Sequence, residues 1–325
     1  MTEKKDFKLK QTRGNFKLDG IIVGLLKENA FTEGETKDGK PYCSVRFAVK
    51  TSPTNIINVE LFGAEQDFIY AYSRTEQKTQ KIAFKDRHNE LDDTYHLIGV
   101  NVTLEDEERE TLVDYDAVKT IYNGFSDGDS VHVAGELRPN SYISSNTGDL
   151  VNNFKYIIKS ISTKKKPINF ELPDFKEVAS FDQELVITDT SLDKETSKVI
   201  VNGYSIGYAD SFKQVQFVIH HDKNKKLGDN FLKLKFGDFI KVLGLCINAP
   251  TNQPVIEEDE WGSEIPAGYN TGGKYINELR ITAVDKDKDF QAIFKKKMYK
   301  EEDFVIQEEE SPDFEDDDPD NQLPF

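Results

Sequence analysis

The chain is poor in cysteine, methionine and tryptophan, with two, two and one of them among 325 residues. Cys43 and Cys246 stand far apart, each in an apolar, strand-like stretch. Two isolated cysteines exclude a disulfide framework and any zinc site built on paired cysteines. The expectation is two reduced, buried thiols. No apolar run is long enough to span a bilayer, and Met1-Thr2-Glu3-Lys4-Lys5 is followed by no signal-peptide core. The reading is a cytoplasmic protein with no membrane contact. A P-loop, a dinucleotide fingerprint and an HExxH motif are all missing. The expectation is a protein that is not an enzyme and holds no cofactor and no metal.

One segment lacks charge of one sign. Residues 301 to 320 carry 12 acidic side chains and no basic one. The whole chain has 59 acidic against 42 basic residues, a net charge of −17. Without that segment the balance is 47 to 42. The body is therefore near neutrality, and the excess sits in a tail of the kind that stays solvated and contacts partners. Mean hydropathy is −0.60, yet 22 Phe and 13 Tyr are present. Aromatic and β-branched residues favour pleated surfaces, so the composition leans towards strands.

Periodicity supports that reading. Residues 15 to 26 read as a first strand, and a Lys-Asp-Gly turn lies within Gly34 to Gly39. Cys43 to Lys50 alternates apolar and polar positions, which predicts a half-buried strand with Phe47 inside and Arg46 and Lys50 outside. After the turn at Thr51-Ser52-Pro53-Thr54-Asn55 comes a strand from Ile56 to Gly63. Asp116 to Tyr122 is expected to be the one short helix. Val131 to Leu137 and Phe154 to Ile161 alternate again. A second half repeats the pattern: Gly237-Asp238-Phe239-Ile240-Lys241-Val242-Leu243-Gly244 echoes Gly128-Asp129-Ser130-Val131-His132-Val133-Ala134-Gly135 position by position. Lys213 to Ile219 echoes the third strand and Lys274 to Val284 the last. Five short strands with a helix before the fourth is the order of an OB barrel. The expected fold is all-β and mostly antiparallel, with two tandem OB-fold barrels and a disordered acidic tail. The boundaries are a first domain at 1–163 with an insertion at about 64–126, a linker at 164–176, a second domain at 177–290, and a basic-then-acidic tail at 291–325. The tail's low apolar content and high charge predict disorder, although Leu323-Pro324-Phe325 is apolar again.

Val59 to Gly63 on the third strand, Gly128 to Arg138 with Tyr142 on the fourth, and the acidic ending with its apolar tip together resemble the bacterial and phage type of single-stranded-DNA-binding protein. Val59-Glu60-Leu61-Phe62-Gly63 matches that family's Val-x-Leu-Phe-Gly third strand. Gly128, Val131, Val133, Gly135, Leu137 and Arg138, followed by Tyr142, match its fourth strand. The acidic run with Asp316, Asp317 and Asp318 and the tip Leu323-Pro324-Phe325 are similar to its acidic ending. The barrel motifs cover about half of the first domain. Departures are Ile56 where the family has an aromatic, about fifty inserted residues, Thr251 where the first half has Tyr142, and Asn321-Gln322 inside the tip. Two barrels with such changes look more like a phage or plasmid version than a host copy, which would place it in the host cytoplasm.

The resemblance implies sequence-independent binding of single-stranded DNA in replication, recombination and repair, by a monomer or homodimer. Such binding needs a cationic groove and rings that stack on bases. Phe62 and Tyr142 match the family's stacking positions, and Arg46, Lys50 and Arg138 are the cations available to the same face. In the second half the candidates are Tyr204 and Lys213, with Tyr208, Phe212, Trp261, Tyr269 and Lys274 around them. Asp316, Asp317, Asp318, Leu323, Pro324 and Phe325 form the expected docking segment for replication and recombination proteins. Beside this one stand an RNA-binding version, since OB barrels accept either strand type, and two readings from other classes. One is an OB-fold adaptor, of the recombination-mediator or helicase-loader type, with little DNA affinity of its own. The other is a metal-dependent nuclease using His220-His221-Asp222, which is disfavoured because adjacent strand residues face opposite ways.

Overall fold

The computed structural model describes residues 9–105, 107–143, 150–250, 275–286, 294–295 and 298–304. Its strands are β1 (Gly14–Val23), β2 (Phe31–Glu35), β3 (Pro41–Lys50), β4 (Ile56–Ala64), β5 (Phe68–Ser73), β6 (Lys78–Ala83), β7 (Tyr95–Leu97), β8 (Val100–Thr103), β9 (Glu110–Leu112), β10 (Ser130–Ile143), β11 (Leu150–Thr163), β12 (Val178–Asp193), β13 (Lys198–Ile206), β14 (Phe212–His220), β15 (Phe239–Pro250), β16 (Tyr275–Val284) and β17 (Phe294–Lys295). Helix α1 (Asp114–Gly124) precedes β10 and helix α2 (Lys225–Phe231) precedes β15. The chain is mostly β and its pairings are mostly antiparallel. No helix among the described residues is long and apolar enough to cross a membrane.

The pairings form two circuits with the same connectivity. In the first half β1 pairs with β3, β3 with β4, β4 in parallel with β11, β11 with β10, and β10 with β1 again. In the second half β12, β13, β14, β16 and β15 close in the same order, again with one parallel step, β14 to β16. Alternation explains the packing. Cys43, Val45, Phe47 and Val49 point inwards from β3, and Ile57, Val59 and Leu61 from β4. Burying a side chain of that size contributes about 1.5–3 kcal/mol.

The echoed Gly-Asp motifs occupy the same structural place in each half. Gly128 and Gly237 both have positive φ, 99° and 85°, a region that glycine enters without steric cost. Each N–H donates across the circuit, Gly128 to the Ile22 carbonyl at 3.0 Å and Gly237 to the Ile187 carbonyl at 2.9 Å. Asp129 and Asp238 carbonyls accept in turn from Ile22 and Ile187. Further along, β10 and β15 each shift register at a glycine, Gly135 and Gly244. A Cβ there would lie 1.9 Å from the Ile157 carbonyl oxygen or 2.1 Å from that of Arg280.

The halves are joined edge to edge. β1 pairs antiparallel with β12, and Phe16 lies opposite Phe181. Ile22 and Ile187 make equivalent bonds, so Phe16 and Phe181 are equivalent too, and a local two-fold axis runs through that pair. Phe181 stacks on Phe217, and Phe154 of the first half meets the same ring at 5.6 Å. One hydrophobic cluster includes residues of both halves. Asn55 seals the seam: its Nδ2 donates to the Cys246 carbonyl at 2.9 Å and to Glu177 at 2.8 Å, while its Oδ1 accepts from Asn248 N–H at 2.8 Å. Residues 164–177, which connect β11 to β12, contain no strand or helix.

The residues between β4 and β10 divide into two parts. β8 and β9 form a hairpin, and β8 extends the main sheet through a parallel pairing with β11. β6, β5 and β7 form a separate three-stranded sheet. Its inner face, with Ile69 and Phe84, packs near α1 through Val113 and Tyr115. Helix α1 covers the region of the expected short helix and is longer, Asp114–Gly124.

Candidate nucleic-acid interface

The outer face of β3 and β4 follows from the alternation that buries the inner one. Tyr42, Ser44, Arg46 and Ala48 project from β3, opposite Ala64, Phe62, Glu60 and Asn58 of β4. Phe62 is 55% exposed. Its ring stacks on Tyr42, with centroids 5.4 Å apart and planes 29° apart. An exposed phenylalanine on a strand whose other face fills the core is not explained by packing.

Cations lie on the neighbouring strands of the same sheet. Arg46 Nη2 lies 3.1 Å from Glu60 Oε2, and Lys155 Nζ lies 3.5 Å from Glu60 Oε1. Lys155 on β11 is the cross-strand partner of Arg138 on β10. Arg138 is about half exposed and pairs with Glu136 at 3.1 Å. Three cations therefore meet two carboxylates across four neighbouring strands. The Arg138–Glu136 pair is exposed on both sides and is worth about 0–1 kcal/mol, so a phosphate can exchange for that carboxylate at little cost, whereas Glu60, shared by Arg46 and Lys155, is half-buried.

The structure separates the remaining sequence candidates. Lys50 sits at the far end of β3, 5.8 Å from the centre of the Phe170 ring in the connecting segment, away from Phe62. Tyr142 lies on β10 opposite Val151, and its side chain is outside the described residues. In the second half Lys213 is exposed, whereas the Tyr204 ring is enclosed by Phe212 at 4.9 Å, Phe304 at 4.7 Å and Phe236 at 6.5 Å. Tyr204 thus belongs to a satellite core with Val186, Phe239 and Tyr299. On the outer face of β13 and β14, Gln216 Nε2 donates to Asn202 Oδ1 at 3.1 Å. Tyr208, on the turn after β13, is 74% exposed. Thr251, Trp261, Tyr269, Lys274 and the tail residues Asp316, Asp317, Asp318, Leu323, Pro324 and Phe325 lie outside the described residues.

Sequence reasoning missed Tyr42, Lys155 and the two carboxylates. The period-two pattern that exposes Arg46 also exposes Tyr42, four residues earlier. Lys155 required the β10–β11 register, which a single strand does not encode.

The two adjacent histidines have separate partners. His220 Nε2 lies 2.9 Å from Glu278, and His221 Nε2 lies 2.9 Å from Asp229. Glu278 also receives Lys198 at 2.8 Å and Arg280 at 2.6 Å. Burial raises the Glu278 pKa, but the hydrogen bonds from these two cations outweigh it and hold the carboxyl below its ordinary range. Burial, with Arg280 close by, pushes the His220 pKa down despite Glu278. Both thiols are buried, and burial pushes Cys43 up to about 11 and Cys246 up to about 12. No group of three or more metal-ligating side chains occurs among the described residues.

The chain belongs to the YorF family, whose model matches residues 20–319. Among solved structures it is similar in outline to the single-stranded DNA binding protein from Thermus aquaticus. A deletion mutant of that protein is 12% identical, with 85% of this chain and 95% of that one covered at a TM-score of 0.40. The wild-type protein is 10% identical, with 86% and 94% covered at a TM-score of 0.39. No curated protein matches the chain by sequence.

Proposed function

We propose that this chain binds single-stranded DNA without sequence preference, through two OB-type barrels whose first member carries the main site. The observation that carries the reading is the exposed Phe62 ring, stacked on Tyr42, with Arg46, Lys155 and Arg138 on neighbouring strands of the same sheet. An exposed ring takes a base of any identity, and nearby cations take the phosphates. The circuit order, with a helix before the fourth strand in each half, supports the OB assignment. The binding role is non-catalytic and serves replication, recombination or repair in the cytoplasm, as a monomer or homodimer. The acidic segment containing Asp316, Asp317 and Asp318, with Leu323, Pro324 and Phe325 beyond it, recruits partner proteins by charge and a small apolar anchor.

The test is fluorescence anisotropy of labelled oligo-dT, duplex DNA and a matched RNA across a salt series. The reading requires tight binding to oligo-dT, weak binding to duplex, and affinity that falls with salt. Absence of oligo-dT binding by both the full chain and a version truncated after Phe304, which keeps the satellite core, would refute it, and the barrels would then be protein-binding modules of an adaptor. A preference for RNA would move the substrate class while keeping the site.

A further inference from the structure

The small sheet between β4 and α1 carries a row of rings that its packing does not use. β5 alternates strictly: Ile69, Ala71 and Ser73 are buried, whereas Phe68, Tyr70 and Tyr72 are 42%, 48% and 38% exposed. Cross-strand partners share a face, which adds Lys81 opposite Tyr70, and Thr79 and His96 opposite Tyr72. Lys81 Nζ lies 3.5 Å from the centre of the Phe68 ring. Among the described residues neither the Tyr70 nor the Tyr72 hydroxyl has a hydrogen-bond partner. In a chain of net charge −17, residues 68 to 85 contain Arg74, Lys78, Lys81 and Lys85 against Glu76 alone. All four cations are exposed.

We infer that this face is a second stacking surface for the same single strand of DNA, continuing the path that begins at Phe62. The inference rests on the single-strand-binding reading and extends it to residues outside the barrels. Rings at positions i, i+2 and i+4 of a strand are roughly 7 Å apart. That is about twice the 3.4 Å rise between stacked bases, so one base fits between successive rings. Phe68 follows Phe62 by six residues, which limits the separation of their Cα atoms to about 22 Å. Lys40, bound to Asp67 at 2.9 Å, and Tyr42 on the Phe62 ring lie along the same junction. Charge decides against an apolar protein partner. Lys81 sits among the rings and two of the three rings carry hydroxyls, which suits bases and phosphates better than a dry contact.

The test compares the full-length chain with Tyr70→Ala/Tyr72→Ala and, separately, with Lys81→Gln, which leaves every ring in place. Each is titrated with a series of oligo-dT lengths, and wild type is also photo-crosslinked to 5-iodouracil-substituted oligonucleotides and mapped by mass spectrometry. The surface is supported if crosslinks fall within residues 68–85. Support also requires that the double variant loses roughly tenfold or more in affinity per ring on long oligonucleotides, keeps wild-type affinity for the shortest, and occludes fewer nucleotides. Lys81→Gln should lower the affinity for long oligonucleotides in the same direction. If wild type binds but neither variant alters the length dependence and no crosslink maps to this sheet, the surface is overturned while the Phe62 site stands. If wild type binds no single strand, both fall. If sedimentation reveals a wild-type oligomer that the double variant dissociates, the sheet is a contact between copies and the inference is wrong.

Discussion

Replacing Phe62 by alanine separates binding from folding more cleanly than any other single change. The ring is 55% exposed and meets one other ring, Tyr42, at 5.4 Å. Such an offset pair is worth about 0.5–1.5 kcal/mol beyond its buried area, and with the buried part of the ring added the cost to stability is about 2 kcal/mol. Loss of a base-stacking ring costs about 1–3 kcal/mol of binding, or roughly 5- to 150-fold in affinity. Tyr42 remains and can offer its uncovered face, so the expected loss is near the lower end, about tenfold. Removal of both rings should approach the upper end. The assay is anisotropy of a labelled oligo-dT at fixed salt, with thermal unfolding of the same samples. Lys50→Ala is the control, because Lys50 lies over Phe170 rather than beside Phe62, and it should change affinity less than twofold. A change under twofold for Phe62→Ala, with the variant folded at the assay temperature, would refute the stacking argument.

Arg138→Ala should weaken binding at low salt and reduce the slope of log affinity against log salt by about 0.7, the value for one phosphate contact on a single strand; an unchanged slope would remove Arg138 from the interface. Asn55→Ala leaves the Cys246 carbonyl and the Asn248 N–H without their partner at the seam, and at about 1–3 kcal/mol for each buried group it should cost about 3 kcal/mol in chemical denaturation, while a loss below 1 kcal/mol would mean water replaces it. Cys43 and Cys246, raised to about 11 and about 12 by burial, should be unreactive towards Ellman's reagent at pH 8 in the native state and react fully once unfolded; rapid native labelling would contradict the packing. Acid should destabilise the fold in two stages. His220 has a folded pKa below its ordinary 6.5, so the unfolded chain binds the extra proton first and stability falls as pH drops below 6.5, levelling below the folded value. Asp19 and Glu278 have folded pKa values below 3.8 and 4.5, so their contribution is present above those values and is lost as pH falls through the folded ones. His220→Asn should remove the first stage from a plot of melting temperature against pH, and an unchanged profile would show that His220 titrates normally.

Much of the local structure is legible in the residues because its causes are local. Period-two alternation places Phe47 inside and Arg46 outside β3 without reference to any other strand. The Gly-Asp echoes at Gly128 and Gly237 mark turns that need positive φ, and the structure builds them alike. The surroundings of the candidate residues were readable only in part. Phe62 is exposed with Arg46 near it, Lys50 lies at the far end of β3 over Phe170, and the Tyr204 ring packs among Phe212, Phe236 and Phe304. Phe304 stands about a hundred residues from Tyr204, and no pattern within either segment announces the contact. The run Phe68 to Tyr72 is visibly apolar, yet whether its rings are buried depends on what covers the sheet.

By itself, then, the sequence determined the β class, the repeated turns, the inward and outward faces of the main strands and the segregation of negative charge at 301–320. These follow from backbone sterics, alternation and composition, each acting over a few residues. Only the tertiary structure decided that β1 pairs with β12 so that Phe16 faces Phe181, that Asn55 of a simple-looking turn locks the seam, and that Tyr42, Lys155 and Phe62 share one surface. Those outcomes depend on register between strands up to about 190 residues apart in the chain. Register is set by the summed burial of both halves rather than by any one segment.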